Sequence, residues 1–364
     1  MMNLCVVVPS FTGGGAERIA VNLANQYALS GHSVVVVVFN GFGPYREQVS
    51  DSVKILDLKS SRVRYVLPRL LKAFREIAPT TVLSVVRLSN VMTGIAGYFY
   101  PAARMVFREA STMDGVLKLP PLKKWLMLRI MQIAYRRADK IVANSEGTRR
   151  SLLTCGVARQ DKVVVIGNPV LPANLEQLSS AVASHRWLED KSVKVVLSVG
   201  RLHPLKRQDV LIRAFAIVSR GLTDIRLLIL GEGSERERLL SLVEELNVSE
   251  VVDIVPFSQN PYPYYKNAAV FVLASEWEGF GNVLVEAMAC ELPVICTDCP
   301  GGPREILRGG RFGVLVPVGD VSALSVELAK ILTKETKVDL KSAKERAMEY
   351  GVSAISKCYE RELL

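Results

Sequence analysis

Five consecutive valines followed by phenylalanine, residues 34–39, constrain this chain more than any other stretch. An amphipathic helix repeats its apolar positions every three or four residues, and a half-exposed strand alternates them. An unbroken β-branched run does neither. It suits a strand covered on both faces, as in a parallel sheet flanked by helices. Leu4–Val8 reads the same way, and strand-like runs recur between helix-like segments at Thr81–Val86, Met105–Phe107 and Lys140–Ala143. The alternation restarts at Val193–Val199, Arg226–Leu230, Val270–Leu273 and Pro293–Cys296. The predicted fold class is α/β, with two doubly wound, Rossmann-like domains facing across a cleft.

The length of 364 residues suits two such cores, at roughly 100–200 residues per domain. A stretch rich in Pro, Asn and Ser, residues 166–187, separates the two sets of strands and reads as the connection. The expected domains are 1–167 and 168–344, with a helix over about 345–364 packing back on the first. The opening MMNLCVVVPS lacks the basic start of a secretory signal. No stretch reaches the ~18–20 apolar residues of a spanning helix. Six scattered cysteines suit a reducing cytosol better than a disulfide framework. Cys296 and Cys299 form a CxxC, but no second pair or nearby His completes a zinc site, and Pro300 stands where a redox motif needs helix.

The formal net charge is +10 and unevenly spread: residues 62–140 hold fifteen Lys/Arg against four acids. Such a surface attracts nucleic acid, anionic lipid or phosphorylated substrates. No aromatic–basic platform for nucleic acid accompanies the charge, so nucleic acid is not an expected partner.

The second half carries the clearest chemistry. A strand runs into the loop GRLHPLK, placing Arg201 and Lys206 beyond its carboxyl end, where two cations can neutralise a diphosphate. Farther on, EGFGNVLVEAMA spans residues 278–289, a loop that turns into a helix. The turn Gly279-Phe280-Gly281 lets backbone N–H groups approach a ligand, with Asn282 as expected cap and Val283 in the first turn. A carboxylate beside a phosphate is repelled by it, so Glu286 is expected to hold ribose hydroxyls. Glu278 is expected to hold another polyhydroxylated group. In the first half, Gly13, Gly14 and Gly15 follow the first strand; they permit close backbone approach to phosphate or make a purely structural turn. The pattern is not the dinucleotide fingerprint G-x-G-x-x-G.

These blocks together resemble glycosyltransferase family 4, the retaining nucleotide-sugar transferases of GT-B architecture. GGAER at 14–18, TDCPGGPREIL at 297–307 and GVLVPVGD at 313–320 match as well, so the resemblance covers nearly the whole chain. It implies that Arg201 and Lys206 contact the donor diphosphate, Glu278 the transferred sugar and Glu286 the ribose. Backbone around Gly279, Phe280, Gly281, Asn282 and Val283 would meet sugar and phosphates, and Phe257 would lie at the base. Many members carry a His after a later N-terminal strand; here that stretch reads VFREAST, with Arg108 and Glu109. Glu109 either faces the acceptor as a catalytic group or pairs with Arg108.

The resemblance implies a retaining transfer from a UDP-sugar to a hydroxyl, with no metal or other cofactor. The block at 298–306 is most similar to members that build lipopolysaccharide core or lipid-linked oligosaccharides, which makes an N-acetylhexosamine the expected sugar. UDP-glucose or UDP-galactose with another acceptor is the alternative; a catalytically silent scaffold or a basic nucleic-acid-binding protein is the non-enzymatic one. Two segments bear on location. Residues 68–78 pattern as a basic amphipathic helix opened by Pro68, and residues 122–137 are apolar nearly all round. The latter is expected to be buried or to touch lipid or a lipid-linked acceptor. With the basic excess, they predict a cytoplasmic protein peripheral to the anionic cytoplasmic face of the inner membrane.

Overall fold

The structure, a computed structural model, describes residues 2–12, 14–60 and 62–364. Gly13, one of the glycines expected at the phosphates, lies outside the described residues. The chain separates into two compact units, Met1–Val170 with Tyr350–Leu364, and Leu171–Glu349.

The first unit holds a seven-stranded parallel sheet of β1 (Asn3–Ser10), β2 (Ser33–Asn40), β3 (Lys54–Asp57), β4 (Thr81–Ser84), β5 (Arg104–Glu109), β6 (Lys140–Ala143) and β7 (Val163–Val165), in the order β3-β2-β1-β4-β5-β6-β7. The second holds a six-stranded parallel sheet of β8 (Lys194–Val199), β9 (Ile225–Leu230), β10 (Val252–Val255), β11 (Val270–Leu273), β12 (Val294–Thr297) and β13 (Val314–Val316), in the order β10-β9-β8-β11-β12-β13. Both are doubly wound, and each reverses its winding between its first and fourth strands.

The valine run behaves as its sequence demands. In β2, Val34 to Phe39 are all buried, because consecutive side chains enter opposite faces and both faces are covered. Val35, Val37 and Phe39 join Cys5 and Val7 of β1 in one core with Leu70 and Phe74 of the helix Val63–Ile77. Four strands lie outside the expected set: β3, β7, β10 and β13. Each is the outermost strand of its sheet, three or four residues long, and each has partly exposed positions.

The units part at 170/171 rather than 167/168, because Val170 N–H donates to Tyr350 C=O (2.9 Å), pairing the outgoing chain with the returning one. Residues 345–349 stay with the second unit, where the Arg346 guanidinium bonds the carbonyls of Glu305 and Ile306. The helix Val352–Leu363 packs on the first unit, taking a bond from Tyr27 OH to Ser356 C=O (2.9 Å).

One helix departs from expectation, and for a second the buried alternative is ruled out. Pro68 lies inside Val63–Ile77, not in its first turn, and Ala78 sits past its end in left-handed conformation. Arg69, expected on a solvated basic face, bonds the carbonyls of Leu58 and Lys59 (2.6 and 2.7 Å). The helix Pro121–Arg136 buries only Met131, Ala134 and Tyr135, leaving most of its first half exposed. Among the described residues, no helix is long and apolar enough to cross a membrane.

Candidate active site

In the second sheet the winding reverses between β8 and β11, and ligands of doubly wound sheets bind outside the carboxyl ends of strands at such a point. The loop after β8 carries Arg201 and Lys206. The loop after β11 carries Ser275, Glu276 and Glu278. Backbone bonds tie these loops together: Glu276 N–H donates to Leu205 C=O (2.8 Å), and Glu278 N–H to Pro300 C=O (3.0 Å) in the loop after β12. Thr297 at the end of β12 adds its hydroxyl to Ser275 C=O (2.6 Å).

At the centre, Lys206 Nζ lies 2.6 Å from Glu278 Oε1, and Ser275 Oγ donates to the same oxygen at 2.6 Å. Glu278 is only 9% exposed, so this carboxylate is fixed by an ammonium and a hydroxyl. An ammonium has three donors, so Lys206 can hold Glu278 and a second anion together. Arg201 is exposed beside this pair in sequence.

The helix Asn282–Ala289 begins one residue earlier than a cap at Asn282 requires. Asn282 is its first residue; the cap position belongs to Gly281, which has φ 102° and no side chain to offer. Gly281 adopts this left-handed conformation without the strain a side chain brings, and it supplies no side-chain cap of its own. Gly279 and Val283 are half-buried and Phe280 is buried. Glu286, on the first turns of this helix, is 1% exposed, and Tyr265 OH donates to its Oε2 (2.9 Å). The two acids are therefore not solvated loop carboxylates. Phe257 is exposed after β10. Ser275, Tyr265 and Thr297 carry no signal in sequence: Ser275 reaches Glu278 from within the same loop, Tyr265 reaches Glu286 from the helix Tyr262–Asn267, and Thr297 braces the Ser275 carbonyl from the end of β12.

Gly301 is a further positioning residue. Its φ is +122°, and a Cβ there would meet Glu278 C=O at 1.6 Å. Nearby Cys296 and Cys299 are buried, and burial pushes both thiols up, Cys299 to about 12, so they stay protonated and inert as nucleophiles.

In the first unit, Gly14 precedes the helix Gly15–Leu29 as its cap position, again without a side-chain cap. Glu109 is not paired with Arg108. Neighbours on a strand face opposite ways: Arg108 bonds Asn168 Oδ1 (2.6 Å) and Val85 C=O (3.2 Å). Glu109 Oε1 instead takes Arg87 Nη2 (3.0 Å), and its Oε2 takes a short bond from Tyr135 OH. Burial, then the adjacent Glu109 carboxylate, pushes the Tyr135 phenol well above its usual range. Arg87 Nη2 also meets the carbonyls of Ser111 (3.2 Å) and Thr112 (3.0 Å). Arg87 opens a helix after β4, at the reversal point of the first sheet, and is the cation that sequence reasoning missed there. Removing one partner of a buried charged pair strands the other, so Glu109→Gln is expected to destabilise the first unit by about 2–3 kcal/mol. Thermal unfolding checks this: Arg87→Met combined with Glu109→Gln should cost less than the sum of the two single changes.

Comparison with known proteins agrees with this geometry. A family model described as glycosyl transferases group 1 matches residues 180–350, and one described as Glycosyltransferase Family 4 matches residues 13–173. The chain is 30% identical over 368 residues to the Campylobacter jejuni N-acetylgalactosamine-N,N'-diacetylbacillosaminyl-diphospho-undecaprenol 4-alpha-N-acetylgalactosaminyltransferase, covering 98% of each chain. It is 26% identical to the Rhizobium meliloti lipopolysaccharide core biosynthesis glycosyltransferase LpsE, covering 96% of this chain and 93% of that one. In fold it is similar to Anabaena HepE in complex with UDP and glucose, at TM-score 0.83, 20% identity and coverage of 100% and 99%. It is similar also to WaaG, a glycosyltransferase involved in lipopolysaccharide biosynthesis, at TM-score 0.78, 16% identity and 99% coverage of each. Two doubly wound parallel sheets, the matched family models and a full-length relative at 30% identity lead to one conclusion: the chain belongs to the glycosyltransferases of family 4, with the GT-B fold.

Proposed function

We propose that this glycosyltransferase moves an N-acetylhexosamine from a UDP-sugar to a hydroxyl of a lipid-linked or lipopolysaccharide glycan, with retention at the anomeric carbon. The observation that carries the reading is the cluster of Lys206, Glu278 and Ser275 at the reversal point of the second sheet. A relative named for N-acetylgalactosamine transfer to an undecaprenol-diphosphate glycan supports the sugar and the acceptor class. A similar fold with UDP and glucose supports the uridine nucleotide.

As the bond from sugar to diphosphate breaks, negative charge grows on the leaving phosphate. Lys206, Arg201 and the amides at the start of Asn282–Ala289 stabilise it, an electrostatic effect that needs no reorganisation during the reaction. These positive groups supply the charge neutralisation, so no metal is required. Glu278, fixed on Ser275 and Lys206, orients the sugar. Glu286, fixed on Tyr265, holds the ribose. Phe257 is assigned to the base. The acceptor hydroxyl attacks from the face the diphosphate leaves, and the leaving phosphate takes its proton. The acceptor is presented at the anionic cytoplasmic face of a membrane.

A panel of nucleotide sugars, scored by thermal shift and then by turnover on a lipid extract, tests this reading. UDP-N-acetylglucosamine or UDP-N-acetylgalactosamine should stabilise and turn over, and NMR should show the product anomer unchanged from the donor. Stabilisation by no uridine nucleotide overturns the reading. Turnover of UDP-glucose alone keeps the transferase and replaces its sugar. Tyr265→Phe should weaken UDP binding about three- to tenfold by calorimetry, since it frees a buried carboxylate to rotate.

A further inference from the structure

The helix Pro121–Arg136 has two apolar faces and only one of them is covered. Met131, Ala134 and Tyr135 face the core. Leu122, Trp125, Leu126 and Ile133 are 76%, 56%, 51% and 54% exposed. At about 100° per residue these four fall within about 60° of one line, opposite the buried set. This explains why the segment is apolar nearly all round. A helix on the surface of a soluble protein ordinarily puts polar groups there. Exposed Leu117, in the preceding turn Asp114–Leu117, and exposed Tyr98 extend the patch; Tyr98 is bound through its hydroxyl to Ile133 C=O (2.9 Å).

Cations frame the patch. Residues 114–137 contain Lys118, Lys123, Lys124, Arg129, Arg136 and Arg137 against one acid, Asp114. Arg129 lies over the Trp125 ring, 5.9 Å from its centroid. Leucines, a tryptophan and long cationic side chains on one outward surface fit a bilayer interface. The apolar groups enter the acyl boundary, the indole sits at headgroup level, and the lysines reach anionic headgroups. A protein partner offers no comparable match to this combination of apolar stripe and one-signed frame.

We propose that the outer stripe of Pro121–Arg136, Leu122-Trp125-Leu126-Ile133 with Lys118, Lys123 and Arg129, is the surface by which this protein docks on an anionic bilayer. The proposal rests on the reading that the acceptor is presented at a membrane, and selects one element for the contact. The basic helix Val63–Ile77 offers less: Arg69 is committed to loop carbonyls and Lys72 pairs with Glu76 (3.7 Å).

The test is flotation of the full chain with vesicles of phosphatidylcholine alone and of phosphatidylcholine with phosphatidylglycerol. Binding is expected to the anionic vesicles, to weaken as salt rises, and to shift the tryptophan emission to the blue. The triple change Leu122→Ser, Trp125→Ser and Leu126→Ser should reduce binding at least tenfold. Lys123→Glu with Arg129→Glu should reduce it about tenfold or more, and Lys72→Glu with Arg75→Glu less than twofold. Trp125→Phe should abolish the emission shift while retaining most binding. UDP-induced thermal stabilisation should be unchanged in all of these variants, which separates failure here from failure of the transferase reading. Wild-type affinity in the triple variant, or equal binding to both vesicle types, overturns the proposal. So does a concentration-dependent dimer that the triple change dissolves, which would assign the face to a second copy.

Discussion

Glu278→Gln is expected to lower sugar transfer about a hundredfold or more while leaving UDP affinity within about threefold of wild type. The substitution keeps the shape of the side chain and removes its charge. Oε1 of Glu278 accepts from both Lys206 and Ser275, so the carboxylate is positioned by two partners rather than by packing alone. Glutamine turns one of its two terminal groups into a donor and weakens the hold of Lys206. In the proposed arrangement the nucleotide keeps Arg201, Lys206, the helix amides and Glu286, which is why its affinity should survive. Calorimetry with UDP and single-turnover transfer separate the two effects. Parallel loss of UDP binding would mean that Glu278 serves the nucleotide or the loop structure instead of the sugar.

Gly301→Ala is expected to destabilise the second unit by about 3 kcal/mol or more and to abolish most transfer. Two causes act together. A φ of +122° strains any residue with a Cβ, and that Cβ would stand 1.6 Å from the Glu278 carbonyl oxygen. Backbone cannot yield as a flexible side chain does, so the bond from Glu278 N–H to Pro300 C=O must stretch and Glu278 must move. Gly115→Ala is the control, since a Cβ there meets nothing within 4 Å. Thermal unfolding and turnover of both variants decide the matter. Wild-type stability and activity in Gly301→Ala would refute the coupling of these loops.

The contrast between Glu278 and Glu109 shows what kind of information a sequence carries. Glu278 drew attention because it stands beside a glycine turn and a helix start in the chain, although the ammonium it meets, Lys206, lies seventy-two positions away. Glu109 stands next to Arg108, and adjacency suggests an ion pair. On a strand, adjacency separates: the two side chains enter opposite faces, and Glu109 meets Arg87, twenty-two positions away. Asn282 erred by one residue for a smaller reason. A cap is defined by backbone dihedrals, and Gly281 in left-handed conformation takes the position that residue type alone awards to asparagine.

The central strands declared themselves because a strand buried on both faces must be apolar throughout, and β2 satisfies that along its whole middle. By itself the sequence thus determined two doubly wound halves, the loops after β8 and β11 as bearers of the charged groups, and the family. Edge strands escaped it because they are three or four residues long, too short for periodicity to separate strand from helix or loop even where they are apolar throughout, as in β7 and β13. Only the tertiary structure decided which side chains meet: Ser275 and Lys206 on Glu278, Tyr265 on Glu286, Arg87 and Tyr135 on Glu109. It alone decided which apolar face of Pro121–Arg136 stays in the open. The physical reason is common to both. Local pattern dictates whether a segment can be buried, but what it is buried against depends on strand order, a property of the whole chain.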